Sequence, residues 1–532
     1  MKTLKSLILS LLLAGLSCSM SEAEEKQKVI SPAEVTILHT CDFHGRHMPF
    51  RVVSEDATSQ TGNPQKPENR FGKEGRIGGF EALASAVERV RQKQGEQNVL
   101  LVHAGDTFSD DLLGNLTQGE AVIRMMNAVG YDYMALGNHD FDYGVEQTRH
   151  LQKLADFPLR GANIIEQKTN QLFLGKPFHI FSMGKVKIAV LALGYHNTDQ
   201  TTAPKNIQGL RFVNGIETAR RYVPELRRQA DVVVILSHQG TAVDKLLARE
   251  VDGIDLIIGG HSHDRLHPAI TVNGTKIVQA MSDTAALGEV RVSLVAGQVV
   301  KIEDELHMLW AKDYSHPKMA TLIADIRQPH RQKLEEVIGI AKTRIPRKYK
   351  HESPFDVLVA ELLRQETGAE VALLPGVGYG ITLPQGEVTR EDLYTLLPHP
   401  AKLATFTLTG QQIHDVLEQS ATNQEAENPL DRVGGLIQTS GMTWTLDWAA
   451  QQGKRVRDVQ VNAVQLDRNK SYRVASHSGM LNGIHRYDEL RDAEEVKVSE
   501  ESIVDIVERH FQRSESIVAP QPTNITLIPK PR

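Results

Sequence analysis

The chain has 532 residues, too many for one hydrophobic core; at about 150 residues per domain it implies two or three. Its 40% hydrophobic and 24% charged content excludes an intrinsically disordered chain. The formal net charge of −6 argues against a nucleic-acid-binding surface, which needs a basic excess.

In chain order, the first feature is a charged head, Lys2 and Lys5, followed by an apolar stretch from Leu7 to Leu16 and then small and polar residues. This is the layout of a secretory signal peptide, residues 1–23. The stretch is too short to span a bilayer core of about 30 Å, so no transmembrane segment is expected. Cleavage after Ala23 would leave a periplasmic or secreted protein; the alternative is a lipid anchor on Cys18, although Gly15 stands where a lipobox has Leu. With the signal removed, Cys41 is the only cysteine, and no intrachain disulfide is possible.

From residue 30 to 315, short runs rich in Val, Ile and Leu alternate with helical periodicity. The runs are Val35–Leu38, Val99–Val102, Tyr133–Leu136, Ile188–Leu193, Val232–Leu236 and Ile254–Ile258. They read as buried strands of a sheet covered on both faces by helices. Candidate helices are Gly79–Gln94, Gln118–Val129, Val145–Leu154 and Gly215–Gln229, and Glu55–Lys73 reads as an exposed polar excursion. Residues 316–337 read as a charged linking helix. A second α+β segment, 338–518, carries strand-like runs at Glu370–Leu374, Leu403–Thr409 and Tyr472–Ala475, and the tail 519–532 reads as peripheral.

The residues at the ends of the apolar runs carry the chemistry. The runs lead in turn into Asp42-Phe43-His44, Gly105-Asp106, Gly137-Asn138-His139-Asp140, Ser237-His238 and Gly260-His261-Ser262-His263. Open α/β sheets collect ligands at the carboxyl ends of their strands. Asp42, His44, Asp106, Asn138, His238, His261 and His263 are therefore seven O and N donors directed to one cleft, suited to Zn, Mn, Fe or Co. Any one histidine after a strand reads as an ordinary hydrogen-bonded residue. Five strand ends in order do not read as coincidence. One carboxylate, Asp106, could bridge two ions.

These five blocks resemble those of the calcineurin-like metallophosphoesterases. Asn115-Leu116-Thr117-Gln118-Gly119-Glu120-Ala121 and the run Gly137 to Gly144 are similar to the periplasmic 5′-nucleotidase and UDP-sugar hydrolase branch, and the likeness covers nearly the whole mature chain. The resemblance implies an α/β fold: a four-layer β-sandwich flanked by helices, plus a C-terminal α+β substrate-binding domain. It implies two divalent ions (Mn, Zn, Co or Fe), one held by Asp42, His44, Asp106 and His263 and the other by Asp106, Asn138, His238 and His261. His139 would not bind metal; with Asp142 holding its ring, it would stabilise the transition state or protonate the leaving oxygen. The substrate would be a small-molecule phosphate ester, a nucleotide or related compound, with phosphate released by a metal-activated water. Metal on one domain and substrate contacts on the other would require the linking segment to act as a hinge.

The C-terminal segment departs from the branch. The usual Asn-x-Gly-Gly-Ile-Arg run is Leu374-Pro375-Gly376-Val377-Gly378-Tyr379-Gly380, Leu-Pro-Phe is Leu397-Pro398-His399, and Gly-Gly-Asp-Gly-Tyr is replaced by the stretch from Gly479 to Tyr487. No aromatic pair for sandwiching a base is evident. The Pro-Gly-x-x-Tyr-Gly form and His399-Pro400 look closer to a sister group, the thiosulfohydrolases of bacterial sulfur oxidation, and imply an alternative: sulfate release from a persulfide on a carrier protein, which would then be the partner. That group has Arg where this chain has Gly378, and it departs from Asn-His-Asp, so Asn138-His139 favours phosphate esters. Tyr379, Gly378 and His399 are the substrate-contact candidates. Arg344, Arg347, Lys348, Lys350, His485 and Arg486 are candidate substitute anion binders. An inactive exported metal-binding protein is the third reading, disfavoured by the complete ligand set. Cys41 stands where nucleotidases have Asn, either to tune the site or to fill space.

Overall fold

The computed structural model of the protein describes residues 33–57 and 69–530. The expected signal peptide, the Cys18 anchor and residues 58–68 of the polar excursion lie outside the described residues. No helix among the described residues is long and apolar enough to cross a membrane.

The N-terminal half contains two six-stranded sheets. One runs in the order 298–308, 286–295, 33–40, 99–103, 133–135, 159–160; the other in the order 265–272, 275–280, 256–259, 232–237, 186–193, 178–183. The pattern of apolar runs pointed to a single sheet with helices on both faces, and the structure corrects this. Each sheet has helices on one face and the other sheet on the opposite face. A strand buried on both sides reads the same whichever layer covers it.

The strand Val232–Ser237 shows the division. Successive side chains point to opposite faces: Val232, Val234 and Leu236 pack into the core between the sheets with Val35, Ile37, Val102 and Ile258. Val233 and Ile235 pack against the helices Gly215–Leu226 and Thr241–Glu250 through Ile216, Val223 and Leu247. Across the sandwich, Leu38 and Leu101 face the helices Phe80–Gln94 and Glu120–Val129. The four layers therefore run helix, sheet, sheet, helix. The helix expected over 118–129 starts later, because Gln118 and Gly119 sit in the left-handed region and separate Leu112–Thr117 from Glu120–Val129.

The expected linking helix is broken. Pro317–Arg327, with His316 capping the Met319 amide, is followed by a 3₁₀ turn containing Pro329 and a short helix Arg331–Leu334. A proline inside the run removes a helix donor and interrupts the ladder. The C-terminal half holds a five-stranded sheet in the order 435–440, 371–376, 471–477, 402–409, 494–502. Its helices begin at side-chain caps: Ser353, Thr409 and Ser502 each accept from a backbone N–H three residues on. The tail is not peripheral. Ile525–Ile528 pairs in parallel with Met442–Asp447 in a four-stranded sheet, a partnership over some 80 residues that no local pattern announces.

Candidate metal centre

The five expected strand ends converge, three from one sheet (33–40, 99–103, 133–135) and two from the other (232–237, 256–259). The sandwich brings their carboxyl ends to one rim. Asp42, His44, Asp106, His261 and His263 all have positive φ, between 48° and 70°. Non-glycine residues rarely take this conformation, and it costs on the order of 1–3 kcal/mol at each site. The flip turns each side chain back over the rim instead of along the strand. Gly105 and Gly137 allow the closeness: a Cβ on Gly137 would lie 2.2 Å from Asp106 Oδ1.

The side chains form two groups whose ligand atoms all lie within 4.8 Å of one another: Asp42, His44 and His263, and Asp106, His238 and His261. In the first, His44 Nε2 faces His263 Nε2 at 2.9 Å and His263 Nε2 lies 3.0 Å from Asp42 Oδ1. In the second, His238 Nε2 lies 3.0 Å from Asp106 Oδ2. Asn138 is buried beside them. All seven expected donors are therefore brought to the rim.

The hydrogen bonds behind these groups set the tautomers. His238 Nδ1–H donates to the Ala104 carbonyl at 2.6 Å and His44 Nδ1–H to Asp110 Oδ2 at 2.7 Å, which leaves both Nε2 lone pairs facing inward. His238 Nε2 and Asn138 Oδ1 are buried and receive no hydrogen bond. Buried polar atoms without partners are costly, so inward-facing orphans fit a cation. The electrostatics agree. Burial would raise the Asp42 carboxyl, but His263 and His238 hold it down at about 2. Burial would lower the His238 imidazole, but Asp106 and Asp42 hold it up at about 9. The cluster attracts positive charge, as proton or as metal.

His139 and Asp142 meet as expected: Nδ1 lies 2.8 Å from Asp142 Oδ2. Burial would lower the His139 imidazole, but Asp110 and Asp142 carry it well above its ordinary value. Asp140 staples the loops below, its carboxylate accepting from the amides of Asp106, Thr107 and Gly137. Cys41 lies in the core between the sheets, its thiol donating to the Met281 carbonyl at 3.0 Å. Burial, together with the Asp42 carboxylate beside it, pushes that thiol well up.

A cleft of about 650 Å³ opens above the site, between the two halves. Gly378, Tyr379 and His399 line it with Asn138, His139, Asp142 and His261. The Tyr379 ring lies 5.4 Å from that of His139, and the His399 ring stacks on His139 at 5.7 Å and 10°. Of the substitute anion binders, only His485 joins His399 in the lining. Three of the arginines are engaged elsewhere: Arg347 is buried against Asp356, Arg344 pairs with Asp56, and Arg486 pairs with Asp431. A guanidinium locked in a protein ion pair has few donors left for a ligand.

The halves are joined around the cleft. Asn115 Nδ2 donates to the Pro398 carbonyl at 2.7 Å, Arg327 grips both Glu391 oxygens, and His196 and Asn197 reach the Leu430 carbonyl.

Sequence reasoning missed several residues. Tyr195 stacks on His261 at 3.8 Å; it lies just beyond the apolar run Ile188–Leu193, whose end in Gly194-Tyr195-His196-Asn197 was a readable signal. Lys205, Tyr349 and His477 line the cleft without any motif. Asp110, which supports His44, belongs to none of the five strand-end blocks. Its neighbour Asp111 caps a helix, accepting from the Gly114 amide.

Two family models match the chain: "Calcineurin-like phosphoesterase" over residues 35–265 and "5′-nucleotidase, C-terminal domain" over 331–492. The chain is 26% identical over 464 residues to the trifunctional nucleotide phosphoesterase protein YfkN of Bacillus subtilis, covering 77% of this chain and 31% of that one. It is 25% identical over 547 residues to a 5′-nucleotidase of Vibrio cholerae, covering 92% of each. Among solved structures, the sulfate thiohydrolase SoxB of Thermus thermophilus matches with a TM-score of 0.82 at 25% identity, over 93% of this chain and 96% of that one.

Proposed function

We propose that this chain, which belongs to the calcineurin-like phosphoesterases carrying a 5′-nucleotidase C-terminal domain, is an exported dimetal hydrolase that releases phosphate from nucleotides or related esters. One observation carries the reading: the His139–Asp142 pair lines a cleft together with Asn138 and His261, two of the residues at the rim where the donor groups gather. The proposal divides the labour between a metal domain, 30–315, and a substrate domain, 338–518, joined by 316–337.

Asp42, His44, Asp106 and His263 would hold one divalent ion, and Asp106, Asn138, His238 and His261 the other. When bound, such a pair supplies Lewis-acid polarisation of the ester and acidification of the attacking water. The chain's own residues do the rest. The Ala104 carbonyl and Asp110 fix the His238 and His44 tautomers, and Asp106 would stand between the two ions. Asp142 orients His139, and the carboxylates around it favour the charged imidazole, which would donate to the leaving oxygen. Tyr379 and His399 narrow the cleft over that donor.

The likeness to a sulfate thiohydrolase supports a second reading, sulfate release from a carrier-bound persulfide, in which Tyr379 and His399 would face the carrier. A substrate panel with Mn, Co, Zn and Mg separates the two. It should contain nucleoside monophosphates, UDP-sugars, a generic phosphodiester and a thiosulfate-ester mimic. Phosphate release from the nucleotides is expected. Sulfate release from the mimic with no phosphate release from any ester would replace the first reading by the second.

A further inference from the structure

Beyond the two donor groups, one more cluster has the same build. Asp110, His139, Asp142 and His399 bring two carboxylates and two imidazoles together, with one ligand atom from each within 4.8 Å of the others. His399 Nε2 lies 3.1 Å from Asp110 Oδ1 and 4.0 Å from Asp142 Oδ2. His139 Nδ1 lies 2.8 Å from Asp142 Oδ2 and 3.2 Å from Asp110 Oδ2.

Asp110 carries the argument. Its side chain is fully buried, and while Oδ2 takes the His44 imidazole, Oδ1 has no hydrogen bond, with only the His399 ring nitrogen beside it at 3.1 Å. His238 Nε2 and Asn138 Oδ1 are orphaned in the same way in the dimetal groups. Asp110 is also left-handed, with φ of 76°, the conformation that aims five of the seven donors. Ser109 Oγ ties the two carboxylates together, 2.9 Å from Asp142 Oδ2 and 3.3 Å from Asp110 Oδ2.

We propose that Asp110, His139, Asp142 and His399 form a third divalent-cation site, with an oxygen and imidazole donor set suited to Zn, Mn or Co. Asp110, His139 and Asp142 come from the loops after the strands 99–103 and 133–135; His399 alone comes from the C-terminal half. The site is complete only when the halves are closed, so the ion staples them at the mouth of the cleft. On His139 the ion takes the place of the Nδ1 proton, and Nε2 keeps its own as a hydrogen-bond donor. That consequence rests on the proposed role of His139 as proton donor; the site itself does not.

The test is metal stoichiometry of the full chain, depleted with chelator, reloaded with Zn and freed of excess, with anomalous diffraction from Zn-soaked crystals of the wild type. Three ions per wild-type chain are expected, two in His399→Phe, and an anomalous peak among the four side chains. Two ions in the wild type with no such peak would overturn the third site, whether or not the variant folds. Three ions in both proteins would overturn the place of His399. Loss of this site leaves the dimetal reading untouched if the two-ion protein hydrolyses esters. Absence of ions at the Asp42 and Asp106 groups would instead sink that reading.

Discussion

The rim of the sandwich and the loops of the C-terminal half are built on opposite principles. At the rim, donors sit at the ends of strands buried on both faces, on backbones bent into the left-handed region, with buried bonds behind them. Across the cleft, Gly378, Tyr379, His399 and His485 come from loops, and the nearby arginines serve the protein's own ion pairs. A scaffold fixed at many points preserves reaction chemistry, whereas loops can be re-cut for another substrate without disturbing it.

This contrast is broken or sharpened by experiment, starting with the rim. Asp106→Asn is expected to lower phosphate release by roughly a thousandfold or more, about 4 kcal/mol in barrier, and to reduce bound metal. Activity within tenfold of wild type would remove Asp106 from between the two groups. His139→Gln is expected to lower kcat by about 10²–10⁴-fold, with the ions at the Asp42 and Asp106 groups retained; an unchanged kcat would reduce the His139–Asp142 pair to a structural support.

Across the cleft smaller effects are expected. Arg327→Gln removes the grip on Glu391, a charge-assisted pair that joins the linking segment to the C-terminal half. Hydrolysis of a substrate that spans both halves should lose roughly tenfold in kcat/KM, about 1.4 kcal/mol, while a minimal phosphomonoester loses less. Equal losses on both substrates would show that the pair stabilises the fold rather than closure.

The weakest contrast concerns acid. Burial holds His39 at about 4 and His103 at about 3 in the N-terminal half, and His485 at about 4 in the C-terminal half. Each is neutral when folded and has an ordinary pKa near 6.5 when unfolded. The stability they confer is complete above about pH 6.5 and is lost as pH falls toward 4, with an upper bound on the order of 3 kcal/mol per histidine. The Tm of metal-depleted protein should therefore fall between pH 7 and 4.5 for both halves. A flat Tm over that range would mean that water reaches these rings.

The sequence by itself determined the elements and the donors. Val, Ile and Leu runs bounded by Gly, Asp and His specify buried strands and the residues at their ends, because side-chain alternation and turn chemistry are local. The seven candidate donors were legible on that ground, and the His139–Asp142 pair through the family resemblance. The tertiary structure decided what local pattern does not encode. It set two sheets against each other in the four-layer sandwich that the family resemblance implied, where the apolar runs alone read as one sheet, since a strand buried on both faces carries no mark of what covers it. It placed His44 against His263, 219 residues apart, and turned Asp110 inward although its neighbour acts as a cap. It drew the tail into a sheet beside Trp444 and brought His399 from the far half onto Asp110. Such contacts depend on which surfaces meet once the chain has folded, and a residue's neighbours in sequence hold no record of that meeting.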